Sequence, residues 1–263
     1  MIRRALAVGA SAGAALATLR ALRDAPPGGR ERWARVNFRD RDVDLLGGPA
    51  AASGCLVAAT LAGSPGLVGA VGASAALGCY DDLFGVTHAR GLRGHLAALG
   101  RGELTTGIVK MAGLAAAGLL AAPRRSHPAA RLADAALISG TANLVNLLDL
   151  RPGRALKATV LLGLPLATGR GSGQVAAAGA AATAIALLPG DLAEEHMIGD
   201  CGANALGALI GWSVAARAST PTRALALATV VGLTLASERV SFSAVIERQP
   251  ALNVLDRWGR QPA

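Results

Sequence analysis

The strongest constraint in this sequence is a stretch of 36 residues without a charge, between Asp44 and Asp81. A helix needs about 20 apolar residues to cross a lipid bilayer, so this stretch is long enough for two crossings. A turn signal, Ser64-Pro65-Gly66, falls near its middle. The stretch therefore predicts a hairpin of two membrane helices.

Seven further low-charge stretches separate the basic loops of the chain, and several are shorter than the roughly 20 residues of a full crossing. The short stretches could cross the bilayer only if their helices extend into the flanking polar residues. Otherwise, some of them would be re-entrant segments. They cover residues 5–19, 104–123, 132–148, 158–169, 171–190, 203–216 and 224–237. With the hairpin they predict an all-α polytopic membrane helix bundle of about nine transmembrane helices. The expected organisation is a single integral-membrane domain, 1–263, whose residues 238–263 form a cytoplasmic tail.

Composition excludes the main soluble alternatives. Hydrophobic residues make up 52% and charged residues 16% of the chain, whereas a soluble domain carries about 25% charged residues. The net charge of +9 could indicate nucleic acid, but aromatics are only 3%, so the stacking residues of single-strand binders are missing. The three cysteines, Cys55, Cys79 and Cys201, lack metal-ligand spacing and are odd in number, so we expect neither a zinc site nor a disulfide framework.

The distribution of Lys and Arg predicts the orientation. When nine spans are threaded alternately, 17 basic residues fall on one side and 8 on the other, and the richer side is cytoplasmic by the positive-inside rule. The N-terminus is then outside. Arg3 and Arg4 before an apolar run also resemble the start of a cleaved signal peptide. The seven arginines that follow the run favour a retained first helix.

Acidic residues concentrate on the same predicted side. All 17 except Asp134 lie there, and four occupy the ends of apolar stretches. These four are Asp81, Asp82, Asp149 and Asp200. Carboxylates at a membrane boundary cost free energy unless they are hydrated, paired or bound to a cation. The arrangement indicates either solvated helix ends or a site for a metal or a phosphate.

Three local strings carry these acids. The adjacent carboxylates of Asp81 and Asp82 repel each other unless a cation lies near them. Asn143, Asn146 and Asp149 follow an i, i+3, i+6 spacing that places them along one helical face. Asp200 stands between glycines where a new helix begins, and a helix start offers free backbone N–H groups to a phosphate.

In this order the strings resemble the polyprenyl-phosphate N-acetylhexosamine-1-phosphate transferase superfamily, which includes phospho-MurNAc-pentapeptide transferase and undecaprenyl-phosphate GlcNAc-1-phosphate transferases. The resemblance covers residues 37–211. It extends to Asn37-Phe38-Arg39-Asp40-Arg41 with Gly47-Gly48-Pro49, where the family has a glycine pair, and to Lys110, at the place of a family lysine.

The resemblance implies a Mg²⁺-dependent membrane enzyme that moves a sugar 1-phosphate from a UDP-sugar to a polyprenyl phosphate and releases UMP. It implies a multi-pass protein of the inner, or plasma, membrane that serves synthesis of cell-envelope polysaccharide or peptidoglycan. Its active site would be cytoplasmic, and a homodimer is left open. Asp200, supported by Asp82, would hold the metal, and Asp81 with Asp82 would orient or deprotonate the lipid phosphate. Asn143, Asn146 and Asp149 would contact the nucleotide and its phosphates.

The sequence also departs from the family. Arg151-Pro152-Gly153-Arg154 replaces a glycine- and aspartate-rich run, the histidine-rich C-terminal loop is missing, and the chain is short. We expect the guanidiniums of Arg151 and Arg154 to hold phosphate oxygens in place of that run, and their alternative role is that of positive-inside anchors. Lys110 would contact a phosphate, or would only extend to the headgroups.

The departures keep a second function open. A catalytically lapsed relative would bind polyprenyl phosphate or scaffold other envelope proteins. A transporter is a third hypothesis, suggested by Lys110 and Asp134 within spans, but the chain shows no internal repeat or pair of broken helices.

Overall fold

The computed structural model describes residues 1–85 and 91–262, of which the side chains at 92, 93 and 96 are not described. Arg90 and the side chain of Arg93, both counted in the arginine distribution, lie outside the described residues. Helices account for 76% of the structure. The twelve helices of the described part are α1 Ile2–Asp24, α2 Gly47–Ala62, α3 Pro65–Phe84, α4 Gly91–Gly100, α5 Thr106–Ala121, α6 Pro128–Leu148, α7 Arg154–Leu166, α8 Ser172–Leu192, α9 Gly199–Arg217, α10 Thr220–Ser237, α11 Phe242–Arg248 and α12 Pro250–Arg257.

A helix forms at every one of the nine predicted apolar stretches. Within the described residues, α1, α3 and α8 are long and apolar enough to cross a bilayer. The pair α10 and α11, bent by 99°, makes a fourth candidate if it counts as one span, while α2 and α5 are shorter apolar helices. The helical class is therefore confirmed. Nine crossings and an external N-terminus stay predictions.

The predicted helical hairpin is formed by α2 and α3. Gly63 ends α2 with a φ of 75°, in the left-handed region that glycine adopts without strain. The Ser64 side chain accepts a hydrogen bond from the N–H of Leu67 at 3.3 Å, and Pro65 occupies the first helical position. These are the usual stop and start signals of helices, so the turn lies where the sequence predicts it.

A small β-hairpin follows α1 and was missed by the all-α prediction. Strand β1, Ala34–Val36, pairs antiparallel with β2, Asp42–Asp44. The side-chain oxygen of Asn37 accepts hydrogen bonds from the N–H groups of Arg39 and Arg41, at 2.8 and 3.2 Å, and closes the turn. Strands of three residues are too short to show a sequence period, which is why the pattern did not reveal them.

Helix α9 lies at the centre of the bundle and packs against α6, α3, α2 and α8. Its buried side chains include Leu206, Leu209 and Ile210. Gly207 and Gly211 lie directly against the backbone of α6. Small residues let helices approach closely and gain van der Waals contact, so the repeated Ala and Gly of the sequence serve helix packing.

At one end of the bundle, charged and polar side chains join four helices. Asp134, only 1% exposed, pairs with Arg125 at 2.7 Å and Arg223 at 3.3 Å. The indole Nε1 of Trp212 in α9 donates to the carbonyl of Ala121, the last residue of α5, at 3.0 Å. These contacts connect the end of α5, the start of α6, the end of α9 and the start of α10.

The tail expected at 238–263 is folded and docked on the start of α7. The Arg154 guanidinium makes two hydrogen bonds to the Asp256 carboxylate, at 2.8 and 3.0 Å. The Lys157 ammonium donates to the carbonyls of Leu255, Asp256 and Trp258, at 3.0, 2.6 and 3.0 Å. Cations are favourable where a helix leaves its last carbonyls unpaired, so Lys157 stabilises the end of α12.

Candidate active site

Three of the predicted site residues meet at the end of the bundle opposite to Asp134. The ammonium of Lys110, in the first turns of α5, donates to Asp81 Oδ2 of α3 at 2.6 Å and to Asp200 Oδ2 of α9. Lys110 therefore lies between the two carboxylates and compensates their charge. The ammonium is paired inside the bundle and does not extend away from it.

The distance between α3 and α9 is fixed by Gly78. A Cβ added there would lie 2.4 Å from the backbone C and O of Asp200, closer than any side chain tolerates. The two helix backbones therefore touch one turn before Asp81. Glycine at this position is what brings Asp81 and Asp200 within reach of one ammonium.

Asp82 binds the first turn of α9. Its two carboxylate oxygens accept hydrogen bonds from the backbone N–H groups of Asp200 and Cys201, both at 3.0 Å. Gly199 has a φ of 53°, and a Cβ added there would lie only 2.8 Å from Asp82 Oδ2. Glycine therefore leaves room for the Asp82 carboxylate. The expectation that these N–H groups are free for a phosphate is wrong, because Asp82 already accepts from them. Asp82 acts as a positioning residue for Asp200.

The β-hairpin holds the segment that leads into α9. Asp44 pairs with His196 in a parallel bridge, and the N–H of Met197 donates to the Asp44 carbonyl at 2.8 Å. The guanidinium of Arg35, the middle residue of β1, donates to the backbone carbonyl of Asp82 at 2.6 Å. Arg35 and Asp44 of the hairpin thus support the site through contacts with the end of α3 and with the segment before α9.

The third predicted string ends beside the same carboxylates. Helix α6 is regular through Leu148, so Asn143 and Asn146 keep the expected spacing along it, and Asp149 is the residue that follows its last turn. Asp149 Oδ2 is buried without a hydrogen-bond partner in the described chain. Burial, together with the negative charges of Asp191, Asp82 and Asp200, raises the pKa of Asp149 well above its ordinary value.

A cavity of about 190 Å³ opens beside Asp149, and its lining includes three titratable residues that the sequence did not single out. Asp191 and Glu194 are buried and contribute two more carboxylates. His196 is also buried, and its Nε2 has no partner in the described chain. The available signal was the density of titratable residues just before Gly199.

Glu194 is held by the first loop. Its carboxylate accepts from Asn37 Nδ2 at 2.5 Å and from Arg39 at 3.0 Å, and it lies 3.6 Å from Arg41. Asn37 and Phe38 of this loop line the cavity, and Arg39 and Arg41 hold Glu194 from the same loop.

The two arginines that follow α6 are separated by the structure. Arg151 lines the cavity, and its guanidinium lies 4.3 Å from the centroid of the Phe38 ring. Arg154 is 5% exposed and is bonded to Asp256 and to Ser243 Oγ, at 2.9 Å for the latter. Arg151 is thus available to a ligand, whereas Arg154 anchors the tail and does not face the cavity.

The donor set can be compared with the needs of Mg²⁺, which the resemblance implies. Within residues 1–85 and 91–262, no three His, Cys, Asp or Glu side chains are already gathered as metal ligands. However, four carboxylates lie in this region: Asp81 and Asp200 pair with Lys110, Asp82 accepts from two backbone N–H groups, and Asp149 Oδ2 has no partner in the described chain. The buried Asp149 oxygen without a partner is a site that a cation would satisfy. Carboxylate oxygens are the hard ligands that Mg²⁺ prefers, and here the carboxylates outnumber the ammonium that neutralises them. An ion bound at Asp200 would compete with Lys110.

No protein-family model matches the chain, and no curated protein sequence matches it. The functional argument therefore depends on the residues and their geometry.

Proposed function

We propose that the protein is a membrane phosphotransferase that moves a sugar 1-phosphate from a UDP-sugar to a polyprenyl phosphate, with release of UMP. The observation that supports this proposal is the meeting of separately predicted residues at one end of the bundle. Asp81, Lys110 and Asp200 are in direct contact, Asp82 binds the start of α9, and Asp149 lies within electrostatic reach.

Each side chain of the site has a separate role in the proposed transfer reaction. Attack of one phosphate on a diphosphate brings anions together, so positive charge at the reaction centre is the first requirement. Lys110 supplies a fixed ammonium, and Asp81, bonded to it, is placed to accept the proton of the acceptor phosphate. Bound Mg²⁺, held by Asp200 and Asp149, would add charge neutralisation on the diphosphate oxygens. Asn143 and Asn146 offer amide groups to the nucleotide, and Arg151 offers a guanidinium to its phosphates.

The proposal includes a location. Helices at the nine apolar positions, threaded as the arginine distribution indicates, would place the N-terminus outside and the Asp81–Asp200 cluster at the cytoplasmic face of the cell membrane. The acceptor lipid would then reach Lys110 from the bilayer, and the UDP-sugar would enter from the cytoplasm. The sugar nucleotides used in envelope synthesis are water-soluble, which is consistent with this side.

The second candidate is a lapsed relative that binds polyprenyl phosphate or scaffolds other envelope proteins. One observation favours it: Lys110 fills the space between Asp81 and Asp200, and Asp82 covers the start of α9. If the metal and the substrate bind to the same atoms, both contacts would have to break before turnover.

The deciding experiment is UMP release by purified protein supplied with Mg²⁺, undecaprenyl phosphate and a panel of UDP-sugars. We expect release with at least one sugar, and loss of release on removal of Mg²⁺ by a chelator. Asp81→Asn should abolish it. Asp40→Asn is the matched control, because Asp40 lies in the β-hairpin turn with a φ of 57° that Asn tolerates. Lipid binding without release of UMP from any sugar would favour the second candidate.

A further inference from the structure

The last helix of the chain, α12, exposes its apolar side. Ala251, Val254, Leu255 and Trp258 follow the i, i+3, i+4, i+7 spacing of one helical face, and all four are exposed. Trp258 directly follows the helix, and its N–H donates to the carbonyl of Val254 at 3.0 Å, so the helical path continues to it. We refer to these four residues as the apolar stripe.

The opposite side of α12 is the buried one. It carries Asp256, which is 8% exposed and is bonded to Arg154 and Arg260. A surface helix of a soluble protein buries its apolar side and exposes its charged side. In α12 this order is reversed, so the apolar stripe suits an apolar environment outside the chain.

The apolar side of α12 continues onto the side of the bundle. Leu252 and Leu255 line a groove of about 140 Å³ together with Leu161 of α7. Leu161 is exposed and lies seven residues after Arg154, about 10 Å along α7 from its start. It belongs to the apolar stretch 158–169, which the sequence predicts to lie in the bilayer. An interfacial helix buries its apolar face about 5 to 10 Å into the boundary of headgroups and acyl chains, and α12 is attached at that depth.

The residues beside the apolar stripe fit a lipid surface. The exposed charges of α11 and α12 are Arg248, Arg257 and Glu247, so they are basic in sum, and anionic headgroups attract basic residues near the membrane. Tryptophan is enriched at membrane interfaces, because its ring is apolar and its N–H is polar. Trp258 beside Arg257 thus has the composition of an interfacial helix end.

A protein partner fits the apolar stripe less well. Stable protein interfaces involve about 20 to 30 residues on each side, whereas the stripe has four. A bilayer requires no complementary surface, and it would already be present at the neighbouring face of α7. The lipid is therefore the occupant that the position and the size of the stripe favour.

We propose that α12 lies in the interfacial layer of the cytoplasmic leaflet, with Val254 and Trp258 among the acyl chains and Arg248 and Arg257 at the headgroups. This assignment rests on the membrane location given under the proposed function and does not depend on the transfer reaction. It replaces the expected cytoplasmic tail by a membrane-bound helix. Through Asp256, this helix holds the start of α7 at the level of the headgroups.

Tryptophan fluorescence of the full chain tests the assignment. The chain has three tryptophans, of which Trp33 and Trp212 are 6 and 5% exposed and Trp258 is 67% exposed. The protein is reconstituted in nanodiscs of phosphatidylcholine and phosphatidylglycerol whose acyl chains do or do not carry bromine, a short-range quencher. The emission of Trp258 is the part that Trp258→Phe removes, and this exposed side chain can be changed without loss of core packing. We expect brominated lipid to quench most of that emission and aqueous acrylamide to quench little of it.

Two variants of α12 test the role of the apolar stripe. Val254→Asp puts a charge on the stripe, so Trp258 should lose its quenching by bromine and become accessible to acrylamide. Asn253→Asp is the matched control, because it adds the same carboxylate to the same helix outside the stripe, and the quenching should not change. Equal quenching by bromine in both variants would show that the stripe does not bind the lipid.

The other outcomes are also decisive. Quenching of Trp258 by acrylamide and not by bromine would place it in water and overturn the assignment. Protection from both quenchers would overturn it as well, because a second copy of the chain would then cover the stripe. Quenching by bromine in a protein that releases no UMP would contradict the proposed transfer reaction and leave the lipid contact standing. Release of UMP by a protein whose Trp258 is quenched only by acrylamide would do the reverse.

Discussion

Docking of the C-terminal tail depends on the buried carboxylate of Asp256. It is bonded to Arg154 and Arg260, and the three side chains are only 5 to 9% exposed. Asp256→Asn keeps the shape and removes the charge, so two buried guanidiniums lose their counter-charge. Removing one partner of a buried ion pair costs about 3 to 5 kcal/mol, and the low exposure leaves little solvent screening to reduce that figure. We expect the tail to undock far more readily in this variant.

Hydrogen exchange of the α12 amides measures the effect. A loss of about 3 kcal/mol corresponds to roughly a hundredfold lower protection, since each 1.4 kcal/mol is tenfold. Glu247→Gln removes an exposed carboxylate of the same tail and serves as the control, with little change expected. Protection of α12 that is equal in Asp256→Asn and in the unmodified chain would refute the account of the docking.

The same contact predicts a pH dependence. Burial acts to raise the pKa of Asp256, but the hydrogen bonds and charge of Arg154 and the charge of Arg260 outweigh it and lower the pKa. A lowered pKa in the docked state means that the stabilisation is present above the unfolded value of about 3.9 and is lost as the pH falls below it. The protection factors of the α12 amides, taken relative to the intrinsic exchange rate at each pH, should therefore fall in acid, and Asp256→Asn should flatten that dependence.

Three further predictions concern the site and the topology. Asp200→Asn should abolish UMP release while the protein stays folded in the membrane, because it removes a charged ligand and no core packing; full activity would place the metal elsewhere. Gly78→Ala should lower thermal stability by about 1 to 3 kcal/mol and reduce turnover, whereas Gly232→Ala, where the added carbon meets no described atom within 4 Å, should do neither. A cysteine at exposed Glu195 should be labelled from the cytoplasm and one at exposed Arg170 from outside; the reverse pattern would refute the orientation.

Local signals explain what the sequence predicted. The Ser64-Pro65 turn and the apolar stretches are contiguous in the chain, so the helix positions follow from nearby residues alone. Asp81 and Asp200 were expected on one side because acids recur at the same ends of the predicted spans, whereas the pairing of Lys110 with both carboxylates was not predicted. Gly78 then allows the backbones to touch.

Contacts between distant residues explain what the sequence did not predict. Arg154 and Asp256 are 102 positions apart, and no spacing connects them. The same holds for Asp82, whose bonds to the amides of α9 cross 118 positions. A carboxylate that caps a distant helix and one that faces solvent have the same local sequence, so only the tertiary packing distinguishes them.

The hydrogen bond from Trp212 to Ala121 has a mechanical consequence for Lys110. It fastens α5 at the end far from the site, and Lys110 lies eleven residues away, about 16 Å along the helix axis. If α5 pivots about this attachment, a tilt of about 10° moves the backbone at Lys110 by about 3 Å, enough to part its ammonium from both carboxylates. The attachment at Ala121 would then act as the pivot, and Lys110, near the other end of α5, would be the part that moves.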